Sequence, residues 1–229
     1  MTREHYLGQL AGLASGVESM AARVVETIRA SVDALEALDV ASAKTIIEKD
    51  SEIDQARHEI DEQAFVVLAT QQPTAIDLRL VMAAWRVGDE LERIGDYCSG
   101  IAKLTLTMAG EPKGDAMPQI RAMSAITIEL LEKAVQAFQD RDEAAAAAVW
   151  ARDDEVDDLY QDFYRNQIDD MVNHRKRVRR GTYMLWVAHN IERMADRVTN
   201  IAEAVAFVAT ADVATWRSQI EAESVPSSL

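Results

Sequence analysis

WRVGDELERIGDYCSGIA, residues 85–102, and LWVAHNIERMADRVTNIA, residues 185–202, are two versions of one segment set a hundred positions apart. In each, a glutamate precedes an aspartate by four residues, Glu92/Asp96 and Glu192/Asp196, and each runs on to the same Ile-Ala pair. Arg79 and Val87 meet Arg179 and Val187 at the same offset. Upstream, KDSEID (49–54) falls on RDDEVD (152–157), with Met20 on Met123, Val32 on Val135 and Asp39 on Asp142, all at an offset of 103. The offset changes between residues 57 and 78, at an expected turn, where chain length varies most easily. The unit so defined holds three helices and is used twice.

Gly and Pro are scarce and break the chain in few places: Gln72-Pro73, the segment from Gly110 to Gly114 with Pro118 behind it, and Pro226. Between these breaks the apolar residues recur at helical spacing. The pattern predicts helices over 5–37, 39–70, 73–108, 116–140, 142–173 and 177–209, and a short one over 212–222. Pro73 fits the first turn of the third helix, where a missing N–H costs little. Such long stretches predict an all-α fold: two tandem three-helix bundles of six long antiparallel helices, related by a pseudo-two-fold internal repeat. Residues 1–111 are the first repeat, 112–211 the second, and 212–229 a C-terminal tail. Trp85, Leu91, Ile94, Cys98 and Ile101 read as one core stripe.

The chain has 229 residues, a formal net charge of -15 and one cysteine. That charge disfavours non-specific nucleic-acid binding and favours cations or basic surfaces. A single cysteine forms no intrachain disulfide, which fits a reducing compartment. No run of eighteen apolar residues is present, and MTREHYLGQL lacks the apolar stretch of a signal peptide. The expectation is a soluble, cytoplasmic protein, with contact to a membrane complex left open.

Each repeat carries two acidic pairs at helical spacing: Asp50/Asp54 with Glu92/Asp96, and Asp153/Asp157 with Glu192/Asp196. Residues four apart share a helix face, and like charges there repel. If neighbouring helices turn these pairs toward each other, four carboxylates converge, and some must take up protons unless a cation binds. All-carboxylate sites suit hard ions such as magnesium, calcium, manganese and oxidised iron. His189 or Asp89 is a candidate extra ligand, and Asn200 is expected near the same face, where the first repeat has Gly100. The alternative is a solvated acidic face in which Arg93 pairs with Asp89 and Asp96.

QQPTAIDLRLVMAAWRVGDELERIGDYCSGIAK (71–103) resembles the central signature of the PhoU family, and HNIERMADRVTNIAEAV (189–205) resembles its second copy. The resemblance extends over about residues 5–210. It implies two tandem three-helix bundles, with metal ions (iron, manganese, zinc or magnesium), often in multinuclear clusters, on the Glu/Asp-x-x-x-Asp motifs. It further implies a regulator that represses the phosphate-starvation response when phosphate is plentiful, linking the ATPase subunit of an ABC phosphate importer to a sensor histidine kinase. A homodimer and no established catalysis are also implied. Two features depart from the pattern: Gly100 stands where the family often has Asn, and NHRKRVRRG (173–181) replaces Gln-Pro at the second copy's turn. The second metal site is therefore expected to be the better furnished.

Two other functions fit parts of the sequence. A di-iron metalloenzyme on a helical bundle usually takes Glu-x-x-His pairs in the core, and this chain has none. A metal-free helical scaffold is the third reading. The basic run from His174 to Arg180 reads either as a turn offsetting a helix dipole or as a contact with an anionic membrane surface or acidic partner. His58 follows Asp54 by four and reads as a solvated histidine.

Overall fold

The computed structural model describes residues 3–111, 117–152 and 154–224, the side chains of the last two excepted. Its helices are α1 (Arg3–Ala37), α2 (Val40–Gln71), α3 (Ala75–Met108), α4 (Pro118–Asp140), α5 (Glu143–Trp150), α6 (Asp154–Asn173), α7 (Val178–Thr210) and α8 (Val213–Ser224). A 3₁₀ turn, Arg175–Arg177, lies between α6 and α7. The protein is all-α, with α1, α2 and α3 packed together and α4, α5, α6 and α7 packed together.

The long helices form because apolar residues stay on one stripe. In α1 the buried stripe runs through Leu10, Leu13, Val17, Met20, Val24, Ile28, Ser31 and Leu35, widened by Ala21, Val25, Val32 and Ala34. The stripe's spacing of three and four is that of a bundle seam.

The repeat reaches down to single hydrogen bonds at the turns. Leu38 (φ 51°) and Arg141 (φ 56°), equivalent positions, both adopt the left-handed conformation. After each, an aspartate N–H bonds five residues back, Asp39 to the Ala34 carbonyl and Asp142 to the Ala137 carbonyl, both at 2.9 Å. This closes α1 and α4 in the same Schellman motif. The two aspartates then cap the next helix, Asp39 accepting from Ala41 N at 2.9 Å and Asp142 from Ala145 N at 3.0 Å.

Three expectations are corrected. The fifth predicted helix is two, α5 and α6, broken after Trp150. Arg152, at the break, reaches Glu129 of α4 at 2.7 Å and Glu155 at 2.6 Å, and Trp150 meets Trp216 of α8 edge-on at 6.1 Å. Tertiary ties thus override the helix preference of the alanine-rich stretch. Pro73 does not open α3. It follows Gln72, a left-handed C-cap (φ 49°), and closes α2, while α3 starts at Ala75. Of the supposed core stripe, Leu91, Ile94, Cys98 and Ile101 are fully buried, but Trp85 is 40% exposed. Its neighbours Ala83, Ala84 and Val87 face inward instead.

The two helix groups meet along α3–α7 and α1–α4, and one apolar core runs through both. α3 and α7 run antiparallel: Arg86 pairs with Glu203 at 3.1 Å, Arg193 Nε donates to the Tyr97 hydroxyl at 2.9 Å, and Gly100 lies against Asn190. Buried Glu90 accepts from Asn200 Nδ2 at 3.3 Å and pairs with Arg197 at 3.4 Å. Asn200 therefore serves this seam rather than the acidic face. The reason is its partner: a buried carboxylate needs donors.

Candidate metal centre

In the first repeat, α2 brings Asp50 and Asp54 beside Glu92 and Asp96 of α3. The approach is close because Gly95, between the two α3 acids, leaves room for Ile53 of α2; a Cβ there would lie 3.0 Å from Ile53 Cδ1. Partial burial, then the charges of Asp96 and Asp54, push both Asp50 and Glu92 above the usual carboxylate range. The four carboxylates therefore feel one another, as like charges in one patch must.

This patch also contains a cation. Arg57 Nε and Nη2 both lie 2.8 Å from Asp89 Oδ1, and Nη1 lies 3.3 Å from Asp61. The Arg57 charge draws the Glu92 pKa back down. The proposed Arg93–Asp89 pair is thus replaced by one from the neighbouring helix. A guanidinium from α2 reaches Asp89 with two N–H groups at once. His58 is exposed.

In the second repeat the arrangement is tighter. One oxygen each of Asp157 (α6), Glu192 and Asp196 (both α7) lie within 4.8 Å of one another, the only such group among the described residues. Asp153, the fourth expected ligand, lies outside the described residues. Burial first, then Asp196 and Asp157, push the Glu192 pKa to about 7. Asp157 is raised by burial and by Asp196.

Glu192 Oε2 is buried and accepts no hydrogen bond from the described residues. His189 Nδ1 lies 3.2 Å away but is not aligned to donate to it. A buried oxygen without a donor, flanked by two more carboxylates, fits a cation better than it fits water-free protein. Where the first repeat has Arg57 and Asp89, the second has Tyr160 and His189, whose rings are 5.9 Å apart. The repeat thus swaps an ion pair for an aromatic contact beside the acids. Among the described residues no cation from α6 acts on Glu192 or Asp157; Arg193 and Arg197 on α7 draw Glu192 down only as lesser contributions. The donor set is three carboxylates with one imidazole at its edge, a set suited to manganese, magnesium or iron.

Together these features define an all-α protein made of a duplicated three-helix unit, each copy bearing carboxylates from two neighbouring helices. The chain belongs to the PhoU family: the PhoU domain matches twice, over residues 17–105 and 120–205. It is 31% identical over 212 residues to a phosphate-specific transport system accessory protein PhoU homolog of Caulobacter vibrioides, covering 92% of each chain. It is also 31% identical to the Clostridium acetobutylicum homolog, covering 92% of this chain and 96% of that one. Among solved structures, the phosphate transport system regulatory protein PhoU from Streptococcus pneumoniae superposes with a TM-score of 0.85 at 27% identity, over 91% of this chain and 98% of that one. PhoU from Pseudomonas aeruginosa gives the same score and identity, over 90% and 100%.

Proposed function

We propose that this protein is a regulatory accessory of phosphate-specific transport, and that it represses the phosphate-starvation response when phosphate is plentiful. The observation that carries the reading is the family membership over both repeats, together with a relative named as an accessory protein of phosphate-specific transport at 92% coverage. In this reading the protein is no enzyme. It docks on the ATPase subunit of a phosphate importer and on a sensor histidine kinase, and favours the kinase's non-phosphorylating state by binding that state better. It acts as a homodimer at the cytoplasmic side of the membrane complex, and residues 1–111 and 112–211 are its two units. No single helix among the described residues is long and apolar enough to cross a membrane.

The acidic clusters serve the docking by binding metal. Asp157, Glu192 and Asp196 hold the ion in the second repeat, with Asp153 as a fourth ligand. Asp50, Asp54, Glu92 and Asp96 form a second, weaker site partly satisfied by Arg57. Bound metal supplies a positive centre in an acidic surface, which lets acidic groups of a partner approach.

The deciding experiment deletes the gene and follows a phosphate-starvation reporter at high phosphate. The expected result is a reporter that stays on and is silenced again by the wild-type gene; an unchanged reporter overturns the adaptor reading. Elemental analysis of purified protein, with D157N/D196N beside it, tests the metal separately.

A further inference from the structure

We propose that the turn joining α6 to α7 is a docking element for an anionic membrane surface. Five of the seven residues from His174 to Arg180 are Lys or Arg, in a chain of net charge -15, and no Asp or Glu occurs from Met171 to Ile191. Arg177 is neutralised by Asp170 at 3.0 Å, and Arg179 lies over the Tyr183 ring, 5.8 Å from its centre, and 3.3 Å from Glu111. Arg175 and Lys176 are exposed, and no carboxylate among the described residues pairs with them.

Apolar groups flank these cations. Val172 is 74% exposed, Val178 44% and Trp186 55%, and the Trp186 ring packs 6.1 Å from Tyr183. Cations beside exposed tryptophan and aliphatic groups are the composition of a headgroup interface, where the indole sits at the apolar boundary and the charges meet lipid phosphates. The tip is also firmly built. A Cβ at Gly181 would lie 2.6 Å from Met171, so α6 and α7 cross here at close range.

Two carboxylates stand beside the turn, Asp170, held by Arg177 and His174, and the exposed Asp169; the acidic patch of α6 and α7 is farther off. Glu192 lies about 18 Å along α7 from Arg180. The screening length is about 8 Å at physiological ionic strength, so the carboxylate patch is largely hidden from a surface at the tip. The equivalent turn of the first repeat is QQPT (71–74), flanked by exposed Leu78, Met82 and Trp85 but without a basic run. Because α3 and α7 are antiparallel, that turn lies at the other end of the molecule. One end thus carries a basic run beside exposed apolar groups, the other exposed apolar groups without such a run, and the charge selects the first for lipid.

The test is co-sedimentation of the full protein with vesicles of phosphatidylcholine alone or with one-third phosphatidylglycerol. Binding is expected only to the anionic vesicles and is lost in high salt. R175E/K176E should weaken it about tenfold or more. W186S should weaken it less, and M82S at the opposite end not at all. Both charge positions are exposed, so an unchanged melting temperature identifies a folded variant. The proposal is overturned by equal binding to neutral vesicles, by R175E/K176E binding as wild type, or by no vesicle binding with the turn instead held by a purified acidic protein. Vesicle binding requires neither metal nor transporter, so its failure leaves the regulatory reading standing.

Discussion

Arg57 grips Asp89 with two nitrogens, each 2.8 Å from the same carboxylate oxygen, and so places a positive charge from α2 beside the acids of the first repeat. The second repeat has Tyr160 and His189 at these positions. The first patch therefore holds an ion pair, one cation and one extra acid, where the second holds two uncharged rings. Arg57→Ala should raise the affinity of the first patch for manganese and bring the bound-metal count toward two. The pair is partly exposed, so the stability cost should be about 1 kcal/mol or less. Calorimetric titration with manganese, beside a melting curve, checks both.

The Glu192 carboxyl gives stability a pH signature. Its pKa rises from 4.5 to about 7 on folding. Below 4.5 both states are protonated. Between 4.5 and 7 only the folded state keeps the proton, so stability falls as pH rises through this window. The loss approaches about 3 kcal/mol. Asp157, also raised, adds in the same direction. Urea unfolding in chelator, at about pH 5 and about pH 7.5, should show the decline, and Glu192→Gln should flatten it. Metal at the higher pH should restore wild-type stability but not that of the variant.

Ile53 and Gly95 form one fitted contact of the α2–α3 interface, and the second repeat has Val156 and Ala195 at these positions. A methyl group has moved from one helix to the other. Gly95→Ala alone should cost about 1 kcal/mol, because the gain in helix preference is outweighed by pressing into a stiff, buried isoleucine. Ile53→Val alone leaves a gap costing about 1 kcal/mol. The double variant should be more stable than the sum of the two predicts. A double-mutant cycle by urea unfolding measures the coupling.

Trp216 is the anchor of α8. It is 3% exposed, meets Trp150 edge-on, and sits beside the ion pair of Arg217 with Glu203. Trp216→Ala should remove about 3 kcal/mol from the attachment of α8 without unfolding the rest. Hydrogen exchange should then become fast in α8 and stay slow in α3, whereas loss of protection throughout would mean that α8 is integral to the core.

The sequence made the architecture legible because the duplication repeats every cue twice. Asp39 and Asp142 cap helices in both copies, and the acidic pairs recur at fixed places. Trp85 departs from the expected stripe because a single indole at helical spacing fits the edge of a helix's apolar face as well as its centre. The break after Trp150 was invisible, since alanines carry no breaker and the cause lies in distant Glu129 and Trp216. The place of Arg57 is hidden for a similar reason. Its role depends on the rotation of α2 against α3, and spacing along one helix does not encode that. The signal in the sequence is the joint change of Arg57 and Asp89 to Tyr160 and His189 between the copies.

The apolar interior runs without a gap from α1 to α7 and is not divided between the two copies. A polypeptide nicked between α3 and α4 should accordingly remain one particle, its fragments holding each other by the α3–α7 and α1–α4 faces. The fragments expressed separately should complement each other when mixed, and each alone should be prone to self-association. Duplication here produced two halves that share one apolar interior, so unfolding either half should bare apolar surface of the other.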